Sequence, residues 1–253
     1  MRLIFSISII ILFSFNIIAR EIGETEITTE DGIEVFQDEK YYLLKKNVKI
    51  LSDNFNLNAN DVKIHFNKSL YDITQLSAKG EVSFNSLNFG LNSKSQSLEY
   101  EVKIEKLRLE GNNSELITKD IEMYSDGSIE VNNLNGNFKL VGLNSKLINE
   151  NIFIKAENIE GIFSNFADQK EITFLNVIDK KVSYVKNNNT EMYAKKINFD
   201  SKTSIIELMD NVVIIRDGEK ITGDYGTLDT NNNSYKIKSN NDKKVKVVIQ
   251  NNE

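Results

Sequence analysis

From about Leu43 onward, apolar and polar residues alternate with a period of two. In "LEYEVKIEKLRLE", Leu98, Tyr100, Val102 and Ile104 face one way, and Glu99, Glu101, Lys103 and Glu105 the other. Successive side chains of a strand point to opposite faces, so this run predicts one strand with a buried and a solvated side. On a 3.6-residue helix the same residues would spread around the whole surface. Similar alternation marks Phe55, Leu57 and Ala59, then Val62, Ile64 and Phe66, and recurs through Leu87, Phe89 and Leu91 and through Val245, Val247 and Ile249. The punctuation between runs is rich in Asn, Asp and Gly: "KKN" before Val48, "AKG" before Glu81, "MDN" before Val212, "RDGEK" before Ile221 and "DTNNNS" before Tyr235. These residues tolerate positive φ and suit hairpin turns. Short strands separated by turns about every ten residues predict an all-β sandwich, barrel or roll, with at most a brief helical turn near Ser164 to Lys170.

One phrase breaks the alternation in a regular way. In "LNANDVKI", Leu57 and Ala59 share one parity while Val62 and Ile64 share the other. An inserted residue of this kind is what a β-bulge or strand corner provides. The phrase returns as "MYAKKINF" from Met192 and "ITGDYGTL" from Ile221, with Ala59, Ala194 and Gly223 as the small residue at the bend. Weaker copies start at Leu91, Leu116 and Ile154. "NVKI" from Asn47 and "NVVI" from Asn211 each precede a strong copy by ten residues. The pattern predicts an internal repeat of bent hairpins.

Composition narrows the setting. The chain has 253 residues and no cysteine, which excludes disulfides, thiol nucleophiles and thiolate metal sites. Its single histidine, His65, excludes a histidine cluster and is expected on the surface, opposite in parity to Ile64 and Phe66. A net charge of −6 with interspersed signs is contrary to nucleic-acid binding, which needs a basic stripe. Arg2 followed by "LIFSISIIILFSFNII" and Ala19 predicts a secretory signal peptide over 1–19, cleaved after Ala19. The alternative is an uncleaved anchor, although Leu3 to Ala19 is short for a span and contains Ser6, Ser8, Ser14 and Asn16.

The stretch from Met192 to Ile249 resembles the LptA/OstA family of lipopolysaccharide-transport proteins through Asp200, Leu208, Asn211, Val212, Gly223, Asp224 and Asp229. A second match runs from Gly32 to Lys68, and the middle, Ile73 to Val185, is similar only as degenerate repeats. Asp210 stands where the family usually has glycine, and the chain is longer than a minimal member. The resemblance implies one domain over 20–253: an open twisted β-jelly roll in the periplasm, built from repeated bent hairpins. Lipid A acyl chains would lie in a groove between its sheets. It also implies a bridging role between an inner-membrane exporter and an outer-membrane translocon, LptC-like and LptD-like jelly-roll partners, and head-to-tail self-association. No cofactor or metal is expected. An anchored LptC-like component of the same pathway and a structural β-repeat surface protein are the alternatives.

The inward parity of the two best-matched regions nominates Val48, Ile50, Leu57, Ile64, Phe66, Ile197, Phe199, Leu208, Val212, Ile214, Ile221 and Leu228 as groove lining. An enzyme would need a pair of carboxylates such as Asp224 and Asp229 as acid and base. Their positions at repeat boundaries point instead to turn and corner residues, and the chain contains no phosphate-binding glycine loop, G-x-S-x-G elbow or H-E-x-x-H. No enzymatic activity is expected.

Overall fold

The computed structural model describes residues 24–68, 72–150, 152–166, 169–240 and 244–249. The expected signal peptide lies outside these residues. Among the described residues there are 18 strands and no helix. Of the segment that sequence left open to a helical turn, Ser164–Phe166 and Gln169–Lys170 belong to the facing ends of two strands, and Ala167 and Asp168 lie outside the described residues.

The first strands are β1 (Glu26–Thr28), β2 (Ile33–Phe36), β3 (Tyr41–Leu51), β4 (Phe55–Phe66), β5 (Ile73–Ser86) and β6 (Leu91–Glu101). Four short ones follow: β7 (Lys106–Glu110), β8 (Ser114–Ile117), β9 (Ile121–Ser125) and β10 (Ser128–Asn132). Long strands return as β11 (Asn137–Asn149), β12 (Ile152–Phe166), β13 (Gln169–Asn187), β14 (Thr190–Asp200), β15 (Ile205–Arg216) and β16 (Glu219–Asp229). The last are β17 (Ser234–Lys238) and β18 (Lys246–Ile249).

Every long strand serves two layers. One half of β3 pairs with β2 and the other with β1. Likewise β6 pairs with β7 and β8, and β16 with β17 and β18. The first layer holds β2, β7, β10 and β17 among the halves of the long strands; the second holds β1, β8, β9 and β18. The result is an antiparallel meander folded down its length into a jelly roll of bent hairpins. Its two long sides differ. Along one, which we call the crease, each strand passes continuously from layer to layer. Along the other, the seam, the two rows of hairpin turns face each other with no chain crossing among the described residues.

The crease explains the repeated phrase. Strands running from the second layer to the first change parity there: Leu57 and Ala59 give way to Ile64 and Phe66, and Met192 and Ala194 to Ile197. Register shifts mark these points, between Asn58 and Asp61 in β4 and between Tyr193 and Lys196 in β14. Small residues are required because the layers converge. Ala156 and Ala194 are buried, and a Cβ on Gly223 would clash with the Ile237 side chain.

Strands running the other way turn differently. "KKN", "AKG" and "MDN" are not chain reversals, as sequence suggested, but mid-strand corners. Lys46 and Asn47, Gly80 and Glu81, and Asp210 and Asn211 are consecutive residues with positive φ. Two left-handed residues swing the strand into the other layer without changing parity, so the inward series Leu44, Val48, Ile50 is unbroken. "RDGEK" and "DTNNNS" do form hairpins.

Two other expectations are corrected. "LEYEVKIEKLRLE" is two strands, because the chain reverses through Val102 to Glu105, with Glu105 at φ 49°. Alternation passes through a short turn unchanged and so conceals it. The weak copy at Leu116 is the β8–β9 hairpin rather than a corner.

Between the layers lies a continuous apolar core that includes Leu44, Leu57, Leu98, Leu109, Leu140 and Leu208. Each such side chain contributes about 1.5–3 kcal/mol by leaving water.

Candidate functional site

The site best defined by geometry is the apolar interior behind the seam. All twelve nominated residues face inward: eleven are buried, and Phe199 is half-buried against the core. Val48, Ile197, Leu208 and Val212 sit next to the crease, where the layers are covalently joined. Phe66, Phe199 and Leu228 lie nearer the turn rows.

Two apolar voids open on the seam side. One, about 90 Å³, is walled by Ile152, Val185 and Asn187 from the second layer and by Leu175, Phe199 and Ile206 from the first. The other, about 20 Å³, lies in the middle of the roll between Phe84, Leu91 and Leu116 on one side and Tyr100, Leu107 and Val131 on the other. Phe84 and Tyr100 meet across it with ring centroids 6.0 Å apart. Burial, and secondarily the charge of Glu105, raise the pKa of Tyr100, so its neutral phenol is held beside the void. At the rim, Asn133 Nδ2 donates to Glu105 Oε2 at 2.8 Å. The residues nominated from sequence all lie in the two best-matched ends and so miss this central void; the same inward parity in Leu98 and Tyr100 was the available signal.

The seam is fastened near its C-terminal end. Arg216, at the β15–β16 turn of the second layer, donates from Nη1 to the Asn233 carbonyl of the first layer at 2.8 Å. Beside it, the Tyr235 hydroxyl donates to Glu219 Oε2 at 3.2 Å. Burial and then this hydrogen bond raise the pKa of Tyr235.

Both ends of the roll expose inward-facing apolar residues. At one end these are Ile33 and Val35 on β2; at the other, Val247 and Ile249 on β18. One edge of β18 pairs with β16, and its other edge has no strand beside it among the described residues.

The polar candidates are structural. Asp224 accepts from the Asn240 amide at the crease, whereas Asp229 caps the β16–β17 turn through Asn231 N and Asn232 Nδ2. Five residues of extended strand separate them by about 17 Å, too far for the paired carboxylates of a glycosidase. His65 is half-buried, its ring centroid 5.8 Å from that of Tyr41. Burial, then the nearby Lys63 charge, lower its pKa. Among the described residues, no group of three or more His, Asp or Glu side chains is placed to hold a metal ion.

Residues 29–133 match the family described as LptA/(LptD N-terminal domain) LPS transport protein. Among solved structures, the chain is similar to LptH, described as the LptA homologous periplasmic component of the conserved lipopolysaccharide transport device from Pseudomonas aeruginosa. That similarity has 11% identity, covers 90% of this chain and 96% of the other, and gives a TM-score of 0.24. No curated protein matches the sequence.

Proposed function

From a chain that is LptA/OstA-like, with residues 29–133 matching the LptA/LptD N-terminal family, we propose a lipopolysaccharide carrier of the periplasm. In this reading, lipid A acyl chains lie between the layers. The observation that carries it is the asymmetry of the roll: an apolar interior sealed by covalent corners at the crease but, among the described residues, closed only by side-chain contacts at the seam, where both voids lie.

The energetics indicate how loading works. The larger void, about 90 Å³, is smaller than the roughly 150 Å³ apolar cavity that accepts benzene. An acyl chain must therefore part the turn rows. The loss of interlayer contact is offset by about 0.8 kcal/mol for each methylene removed from water. Parting the seam breaks no backbone ladder, whereas opening the crease would break many. The twelve nominated residues divide on this basis: those near the turn rows line the opened groove, and those at the crease remain core. No catalytic step is assigned.

The open ends suit hand-off by strand addition, in which β18 of one copy extends the β1–β2 end of another copy, or of an LptC-like or LptD-like roll. Proline in place of Val247 removes a ladder donor and should abolish concentration-dependent oligomers. If the segment from Leu3 to Ala19 is retained, the same roll is an anchored LptC-like component; the mass of the exported protein distinguishes the two.

The carrier reading is tested with a photo-crosslinker at Phe199, at Ile214 and, as an outward control, at Asp217. Lipopolysaccharide should be captured in cells at Phe199 and Ile214 but not at Asp217. Equal labelling at all three, or none at the inward sites in a folded protein, would refute the groove.

A further inference from the structure

Phe174, at 40%, is the most exposed phenylalanine whose side chain is described, and a bulge puts it outside. Simple alternation from the buried Ile172 would turn Phe174 inward, yet Leu175 is the next buried residue. Ile162 of β12 pairs with Phe174 and Phe163 with Ile172, so β13 carries Thr173 as an extra residue. The bulge is fastened on both sides. The Thr173 hydroxyl donates to the Ile162 carbonyl at 3.2 Å, and the Thr173 carbonyl accepts from the Ser201 amide of the β14–β15 turn at 2.9 Å. Bulges often re-aim a side chain beside a functional site.

The ring stands on the outer face of the first layer between two open hollows, of about 460 and about 390 Å³, and forms part of the wall of both. The first is lined by Asn132, Asn135 and Asn137 and by two internally neutralised ion pairs, Lys106–Glu130 and Lys139–Glu160. Arg108 is a further partner of Glu130. The second is lined by Asn198, Asp200, Thr203 and Glu207, and Lys202 of the same turn is not part of its wall. Asp200 accepts from the Lys202 amide at 2.9 Å and Glu207 from the Tyr225 hydroxyl at 3.1 Å. Asn198 Oδ1 is buried with no hydrogen-bond donor among the described residues, so this amide gains by turning towards a hydroxyl. From β10 to β15 the trough crosses five strand spacings, about 24 Å.

The lining selects the occupant. Two carboxylates beside no free cation disfavour phosphate and anionic lipid, and two are too few to hold a metal ion. What remains is an aromatic face, whose negative quadrupole attracts polarised C–H groups, rimmed by amides that both donate and accept and by carboxylates that accept. An uncharged sugar ring has the matching form, an apolar C–H face with hydroxyls around its edge. Phe199 lines both the second hollow and the void of about 90 Å³ inside the seam. An acyl chain in that void therefore leaves its head group beside the trough.

We propose that the trough binds the saccharide part of the carried lipid, with one uncharged sugar ring stacked on Phe174 and its hydroxyls bonded to Asn198, Asp200 and Glu207. The identity of that lipid rests on the carrier reading; the sugar site rests on the trough.

The probe is the core oligosaccharide freed from lipopolysaccharide by mild acid and then treated with phosphatase, titrated calorimetrically into the full chain. It should bind, and equally at low and high salt, because no charge pair is involved. Phe174→Ala should weaken binding about three- to tenfold, the contribution of one aromatic contact, and Asn198→Ala about threefold or more. Phe174→Tyr should preserve binding. So should Ile178→Ala, which alters an exposed residue of the same strand and face outside both hollows. No binding, a Phe174→Ala variant equal to the parent, an equal loss in Ile178→Ala, or binding abolished by salt would overturn the site. Equal affinity for maltoheptaose would overturn its assignment to the carried lipid. Crosslinking at Ile214 reports the acyl chains separately. Capture at Ile214 without oligosaccharide binding overturns the sugar site and leaves the carrier reading intact. Oligosaccharide binding without capture overturns the carrier reading and leaves the sugar site.

Discussion

Arg216→Ala should loosen the C-terminal end of the seam without unfolding the roll. The guanidinium donates to the Asn233 carbonyl across the two layers, and its side chain is 30% exposed. A hydrogen bond from a charged group contributes about 1.5–3 kcal/mol when well sheltered. Solvent competes at this position, so a loss of about 1 kcal/mol is expected. The Tyr235–Glu219 contact at 3.2 Å is left to hold the gap. Amides of β17 that exchange by local opening should then exchange about fivefold faster, because opening populations follow the lost free energy exponentially. Those of β3 and β4, far along the meander, should not change. Hydrogen exchange followed by mass spectrometry resolves the two regions. Unchanged β17 exchange would show that the clasp has no net effect, and uniform acceleration would show that the residue supports global stability instead. A lipid carrier loosened in this way should also show stronger crosslinking at Phe199.

Other expectations follow from packing and titration. Leu208→Ala, fully buried between the layers, should lower unfolding free energy by about 2–5 kcal/mol in urea titration. Ala194→Leu at the crease, where the small residue is also fully buried, should cost about 1–3 kcal/mol by overpacking; a neutral result would mean the corner has slack. Glu81 sits at φ 48°, so Glu81→Asn should stabilise by roughly 0.5–1 kcal/mol, because asparagine tolerates that conformation better. Tyr124 is held up at about 12 by its bond to Glu122, and Tyr193 at about 12 chiefly by burial. In both the neutral phenol is favoured in the native state, so their contribution is complete below about pH 10 and declines as pH rises towards 12. Circular dichroism and tyrosinate absorbance should change together over that range; tyrosinate appearing near pH 10 in the intact fold would contradict the assignment.

Several features were legible without coordinates because they depend on local chemistry. Period-two alternation identified the inward side chains, since a strand offers only two faces and the apolar one must be covered. The parity switch around Ala59, Ala194 and Gly223 was legible as a bend, because no straight strand can bury both halves of such a pattern. What local chemistry leaves open is which element a bend or a reversal belongs to. Asn and Asp at positive φ serve equally in a hairpin turn and in a mid-strand corner, so "MDN" and "RDG" look alike although only the second reverses the chain. Likewise, alternation through Val102 to Glu105 concealed a reversal that only the pairing of β6 with β7 decides. Whether an inward residue is permanent core or groove wall also lies beyond the local pattern. Ile197 and Phe199 share one parity on one strand, yet one sits against the crease and the other beside the turn row. That distinction depends on the distance between two layers, which is set by all the corners together.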